Sequence, residues 1–101
     1  MAIKFKEQVF LKVKLVPPGQ VTTYSFLAKA LGKNKAYRAV GNTLNKNQFL
    51  VKIPCHRVVK SNGQVGGYAK GQKKKIEILK KEGLKIKNGR IEKLKDYLYK
   101  F

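Results

Sequence analysis

Residues 3–16, IKFKEQVFLKVKLV, place Phe5, Val9, Phe10, Val13 and Val16 at helical spacing, and the PPGQ that follows at 17–20 stops the helix and turns the chain. Thr22 or Thr23 can then cap a short helix running to about Leu31, with Phe26, Leu27 and Leu31 inward and Gly32 closing it. A further helix fits residues 35–45, where Ala36, Val40 and Leu44 recur every fourth residue. Two short helices joined by a tight turn, the second basic, read either as a helix-turn-helix or as an ordinary helical hairpin in a core. Beyond Asn47 the pattern becomes extended in FLVKI and breaks at Pro54. RVVKSNGQVGGY is a hairpin candidate turning at Ser61-Asn62-Gly63. Residues 70–83 predict a helix with Ile76, Leu79 and Ile78 inward, ended by Gly83. The tail predicts a small Asn88-Gly89 hairpin and then a helical turn or two.

The chain has 101 residues, 43% of them hydrophobic, which predicts one folded domain. No run approaches the ~20 apolar residues of a membrane span, and the N-terminal alternation of charged and apolar residues is unlike a signal peptide. Charge changes the picture most. Twenty-four Lys and Arg against five Asp and Glu give +19. Such a field attracts a polyanion, with nucleic acid the first candidate; a solvated Lys-rich surface is the plainer alternative. The lysine run at 73–75 fits that solvated face.

The single Cys and the single His are neighbours, Cys55 and His56, in IPCHRVV at 53–59. A lone Cys makes no internal disulfide, and the default setting is a reduced cytosol. One Cys and one His fall short of a four-ligand zinc site, so no structural metal is expected. A thiol is a strong nucleophile only as thiolate, and an imidazole that takes its proton raises that fraction. The resulting imidazolium needs a carboxylate behind it; Glu77 and Glu82 are the available supply. Adjacent side chains on an extended backbone point apart, so such a pair needs a tight turn or a bridging water.

IPCHRVV followed by GGYAKG resembles the active-site segment of the O6-alkylguanine-DNA alkyltransferases, whose signature is Pro-Cys-His-Arg-Val. VPPGQVTTYSFLA resembles the family's Pro-X-Gly-X-Val-X-(Ser/Thr)-Tyr-X-X-Leu-Ala stretch, and KAYRAVGNTLNKN its Arg-Ala-Val-Gly helix and following Asn. The likeness runs from about residue 5 to 83 and implies a mainly α fold with a small β-hairpin, a winged helix-turn-helix-like domain. It further implies that the chain corresponds to the family's catalytic C-terminal domain alone, as one domain over 1–101. Within it lie a helix-turn-helix at about 22–45, an active-site loop at 53–59 and an extension at 84–101.

By the same resemblance Cys55 is the alkyl acceptor, His56 the water-bridged base and Glu82 the group that orients it. Asn47 tethers the active-site loop, and Tyr68 polarises the leaving guanine. Arg38 fills the gap left by a flipped nucleotide, and Tyr24 presses on its 3′ phosphate. Pro54, Val58 and Ala69 border the guanine pocket. Ala36, Ala39 and Gly41 suit close approach of the second helix to a minor groove, although tight packing between helices explains small residues equally. Arg57 is expected to anchor the loop through carbonyls. Two positions depart from the family pattern: Gln48 stands where Pro is common, and Ala69 where Ser is.

The implied function is repair of duplex DNA carrying O6-alkylguanine, once per molecule and without a cofactor, by a cytoplasmic, nucleoid-associated monomer with no membrane partner. The rivals are a non-catalytic alkyltransferase-like lesion binder, in which the acceptor Cys is replaced, and a basic helix-turn-helix protein that merely binds DNA.

Overall fold

The computed structural model describes residues 4–46, 53–68 and 70–101. Helix α1, Phe5–Val13, buries Val9 and Val13, with Val16 buried just beyond its end. The chain then reverses through a turn in which the Gln20 amide donates to the Pro17 carbonyl at 3.2 Å. Pro18 and Gly19 occupy the middle of that turn, and Gly19 has φ +88°, the pairing a type II turn requires.

Strand β1 is only Thr22–Thr23, and helix α2, Tyr24–Ala30, starts directly from it. Thr23 is the cap: its Oγ1 accepts from the Phe26 amide at 3.0 Å. Gly32, at φ +74°, ends α2 as expected, with Lys33 N–H reaching back to the Ala28 carbonyl at 2.9 Å. Leu27 and Ala28 are the buried residues of α2, whereas Phe26 is 46% exposed, against expectation. A seven-residue helix turns only two positions fully inward here, and 27 and 28 take them. Helix α3, Tyr37–Asn45, buries Val40 and Leu44 and leaves Tyr37, Arg38 and Ala39 exposed. These three helices enclose one core cluster that includes Val9, Val13, Leu27, Val40, Leu44, Cys55 and Val58.

The hairpin expected within 57–68 does not form as a two-stranded ladder. Strand β2, Val58–Val59, pairs instead in parallel with β1, Thr22 beside Val58 and Thr23 beside Val59. The turn itself is present, closed by Lys60 N–H to Gln64 O at 2.8 Å and by Asn62 Oδ1, which accepts from Gln64 N–H at 3.0 Å. Residues 63–65 then bond to the tail: Ile91 N–H donates to Gly63 O at 2.8 Å and Val65 N–H to Gly89 O at 3.0 Å.

Helix α4, Gln72–Lys81, is followed by strands β3, Ile86–Lys87, and β4, Arg90–Ile91, which form the antiparallel Asn88-Gly89 hairpin as read from the sequence. A 3-10 turn at Leu94–Tyr97 leads into Leu98, which lies in parallel beside Val21. Val21, Val59, Val65, Leu79, Leu84 and Ile91 make the second core cluster, so the tail is built into the fold.

Candidate active site and DNA-facing groove

The backbone carrying Cys55 and His56 is tightly turned. Pro54 has φ −79° and ψ 64°, and Cys55 N–H donates to Ile53 O at 2.8 Å, which is an inverse γ-turn. Cys55–Arg57 then forms a single 3-10 turn. Pro54, Cys55 and His56 are buried, His56 with 6% of its surface exposed. The chain is therefore not extended at this point, and the two side chains need not oppose each other.

His56 Nε2 lies 3.1 Å from Glu82 Oε2. Glu82 also receives Arg57 Nε at 3.0 Å on Oε1 and Arg57 Nη2 at 2.6 Å on Oε2, while Arg57 Nη1 donates to Val16 O at 3.0 Å. Arg57 thus binds a carbonyl, as expected, and additionally clamps the carboxylate in fork geometry. The carboxylate is delivered by the end of α4, where Gly83 at φ +100° allows Leu84 N–H to bond Leu79 O at 3.2 Å and Gly83 N–H to bond Lys80 O at 3.0 Å. That double bond pattern fixes the last helical turn.

Burial alone would raise the Glu82 carboxyl, but hydrogen bonds and charge from Arg57 and His56 hold it below the ordinary value. Burial pushes His56 down from 6.5, with Glu82 pulling it partly back up and the Arg57 and Lys75 charges adding to the fall. An ionised carboxylate only accepts, so the neutral imidazole carries its proton on Nε2. Nδ1 is left as the acceptor, buried and without a partner among the described residues.

Lys75 is the principal correction. The solvated lysine of the sequence reading has no exposed surface. Its Nζ donates to Val58 O at 2.7 Å, to Gly67 O at 3.0 Å and to Tyr24 Oη at 3.4 Å, one acceptor for each ammonium hydrogen. Burial lowers it to about 7, with Cys55 acting against that and Lys60 with it. Tyr24 is pushed up to about 12 by burial and by Cys55, and Tyr68 is raised by the same two causes. Tyr68 stands edge-on to His56, ring centres 6.5 Å apart. Tyr24 and Tyr68 pack against the core cluster that contains Cys55. Spacing held the signal for Lys75, since it lies one turn before buried Leu79 on the same face of α4; the lysines at 73 and 74 hid it.

A groove of about 810 Å³ runs between α3 and the 60–67 segment, lined by Tyr24, Arg38, Gly41, Asn42 and Asn45 on one side and Lys60, Ser61, Asn62 and Gly67 on the other. Arg38 and Ala39 are exposed, and Ala36 and Gly41 are half-buried. Added bulk at Gly41 would meet the Tyr24 ring at 3.8 Å. Cys55 and His56 do not line this groove; Tyr24 and Gly67 do, and both are joined through Lys75 to Val58, three residues past Cys55. Val58 is wholly buried in the first core cluster. A second pocket, of about 380 Å³, opens over His56, Arg57, Tyr68 and Glu82. Asn47, Gln48 and Ala69 lie outside the described residues. Among the described residues no group of three or more His, Cys, Asp and Glu could hold a metal ion.

Residues 4–84 match the model of the DNA binding domain of 6-O-methylguanine DNA methyltransferase. The chain belongs to this family. A methylated-DNA–protein-cysteine methyltransferase of Saccharolobus islandicus is 48% identical over 82 residues, 81% of this chain and 52% of the relative. A bifunctional methyltransferase/endonuclease of Picrophilus torridus is 48% identical over 84 residues, 83% of this chain and 28% of the relative. The chain thus spans about half or less of the length of these curated methyltransferase relatives. Among solved structures, S. pombe Atl1 in complex with damaged DNA containing O6-carboxymethylguanine is 27% identical and superposes with a TM-score of 0.87 over 99% of each chain. That superposition takes in the tail beyond residue 84, where the family model stops.

Proposed function

We propose that this member of the methyltransferase family repairs duplex DNA by irreversible transfer of an alkyl group, typically methyl, from guanine O6 to Cys55. The observation that carries the reading is the buried Cys55–His56 turn, with His56 held on Glu82 and its Nδ1 without a partner among the described residues. On this reading the chain is one domain that includes the family's catalytic machinery, with helix-turn-helix 22–45, active-site segment 53–59 and extension 84–101. Duplex DNA carrying O6-alkylguanine is its partner, met as a monomer at the nucleoid, and no cofactor takes part.

His56 Nδ1 takes the Cys55 proton, directly or through one water, and Glu82 stabilises the imidazolium. The thiolate attacks the alkyl carbon in line with the C–O6 bond. The S–C bond forms, the C–O6 bond breaks and its electron pair stays on the guanine, which takes up a proton. Tyr68 polarises that leaving group, and Asn47 tethers the loop. The new thioether has no route back to thiolate, so each molecule acts once.

The target carbon lies inside a base stack, so the nucleotide must be extruded, at a cost of a few kcal/mol. Exposed Arg38 on α3 supplies a planar cation to fill the vacancy, and Tyr24 at the head of α2 faces the displaced phosphate. Ala36, Ala39 and Gly41 let α3 approach the minor groove; Pro54 and Ala69 border the guanine pocket, with Val58 packed in the core behind them.

The end-to-end likeness to Atl1 supports a second reading, a lesion binder without transfer. Cys55 favours the first. Excess lesion duplex decides between them: restored guanine should plateau at one equivalent per protein, whereas a binder restores none and a multiple-turnover enzyme exceeds one.

A further inference from the structure

The groove beside α3 does not end at the 61–63 turn. Exposed Ser61 and Asn62 line it, and they also line a second depression of about 630 Å³ on the other side of the turn. The far wall of that depression is the tail, with Lys93, Lys95 and Asp96 among its lining residues. Leu94 packs against the second core cluster, while Lys93 and Lys95 on either side of it are exposed. Residues 63–65 are tied to the tail hairpin by the Ile91–Gly63 and Val65–Gly89 bonds, so ridge and tail form one surface. Lys93 has φ 54° and ψ 52°, a left-handed conformation that an L side chain other than Asn or Asp rarely adopts. Residues 84–101 carry six Lys and Arg against Glu92 and Asp96, so Asp96 does not reverse the sign of the patch.

We propose that Lys93 and Lys95 form a second DNA contact, binding backbone phosphates of the duplex flanking the lesion while the Ser61-Asn62 ridge sits between that contact and α3. The proposal rests on duplex DNA occupying the α3 groove and adds to it a contact beyond the part of the chain that the family model covers.

Salt-dependent binding tests this on the full chain. Each phosphate contact contributes about 0.9 to the slope of log affinity against log salt, so K93N/K95Q should lose about 2 from the slope on a duplex extending about ten base pairs to each side of the lesion. Asn at 93 tolerates the left-handed backbone, so this variant should melt no lower than the parent. K80Q/K81Q removes the same charge from exposed positions on α4 that line neither depression, and should leave the slope nearly unchanged. On a duplex ending about five base pairs from the lesion on each side, K93N/K95Q and the parent should bind alike. An equal slope change in both double variants, or none in K93N/K95Q, overturns the proposal. Binding is measured on lesion-bearing and unmodified duplex, so its outcome stands even if the protein transfers no alkyl group; alkyl transfer from free O6-methylguanine base should be the same in K93N/K95Q and the parent.

Discussion

On the proposed function, the Cys55 turn and the exposed face of α3 are two halves of one activity, and they are built in opposite ways. Around Cys55 the polar groups are held by the protein itself: Glu82 receives three side-chain bonds from His56 and Arg57, and Lys75 finds three acceptors. On α3, Arg38 and Ala39 stand in solvent, while Val40 and Leu44 are buried beneath the helix. Chemistry requires fixed geometry before substrate arrives, because a misplaced base or nucleophile is costly in rate. A DNA-binding face works through the charge and planarity it offers to a partner. Damage to the first half should therefore appear with any substrate, and damage to the second only with duplex.

The sharpest way to break that contrast is His56→Ala. Removing the general base should slow transfer by about 10²–10⁴-fold, equally from duplex and from free O6-methylguanine base; a loss confined to duplex would place His56 in DNA binding instead. Lys75→Met should cost about 1–3 kcal/mol of stability in urea unfolding, because the buried Val58 carbonyl and the Gly67 carbonyl lose their donor. An unchanged midpoint would mean those bonds contribute nothing. Arg38→Ala should slow transfer from duplex by roughly tenfold, about 1.4 kcal/mol, and leave free-base transfer and the melting temperature untouched. Thr23→Ala should be the smallest change, about 1 kcal/mol from a lost cap.

Acid sharpens the comparison further. Burial holds folded His56 below 6.5, so the unfolded chain takes up a proton first as pH falls. The contribution of His56 to stability is complete above 6.5 and is lost as pH drops through the folded value. The acid limb of the transfer rate should accordingly lie below 6.5. Glu82→Gln removes the carboxylate that pulls His56 upward, and should move that limb lower still; a move toward higher pH would contradict the assigned contacts.

Helices were legible because their apolar spacing and end signals agree: Val40 with Leu44, Thr23 with Gly32, Leu79 with Gly83. The parallel pairing of β1 with β2 was not, since two-residue strands carry no alternation and their partners lie 36 residues apart. Cys55, His56 and Glu82 were singled out through motif and spacing, and the structure bonds His56 to Glu82. Arg57's clamp on Glu82 was missed because an arginine's partner depends on tertiary approach. Lys75 was missed because, in a chain so rich in lysine, a buried ammonium has the same letters as a solvated one. Phe26 was misplaced because a short helix buries fewer faces than its apolar residues suggest.

The central claim is that Cys55 itself receives the alkyl group. Intact mass after incubation with duplex bearing one O6-methylguanine, followed by peptide mapping, measures this directly, with Cys55→Ser and unmodified duplex as controls. The account predicts a gain of one methyl, located on Cys55 and absent from both controls. No gain, with tighter binding to the lesion duplex than to unmodified DNA, would contradict it and make this protein a lesion binder.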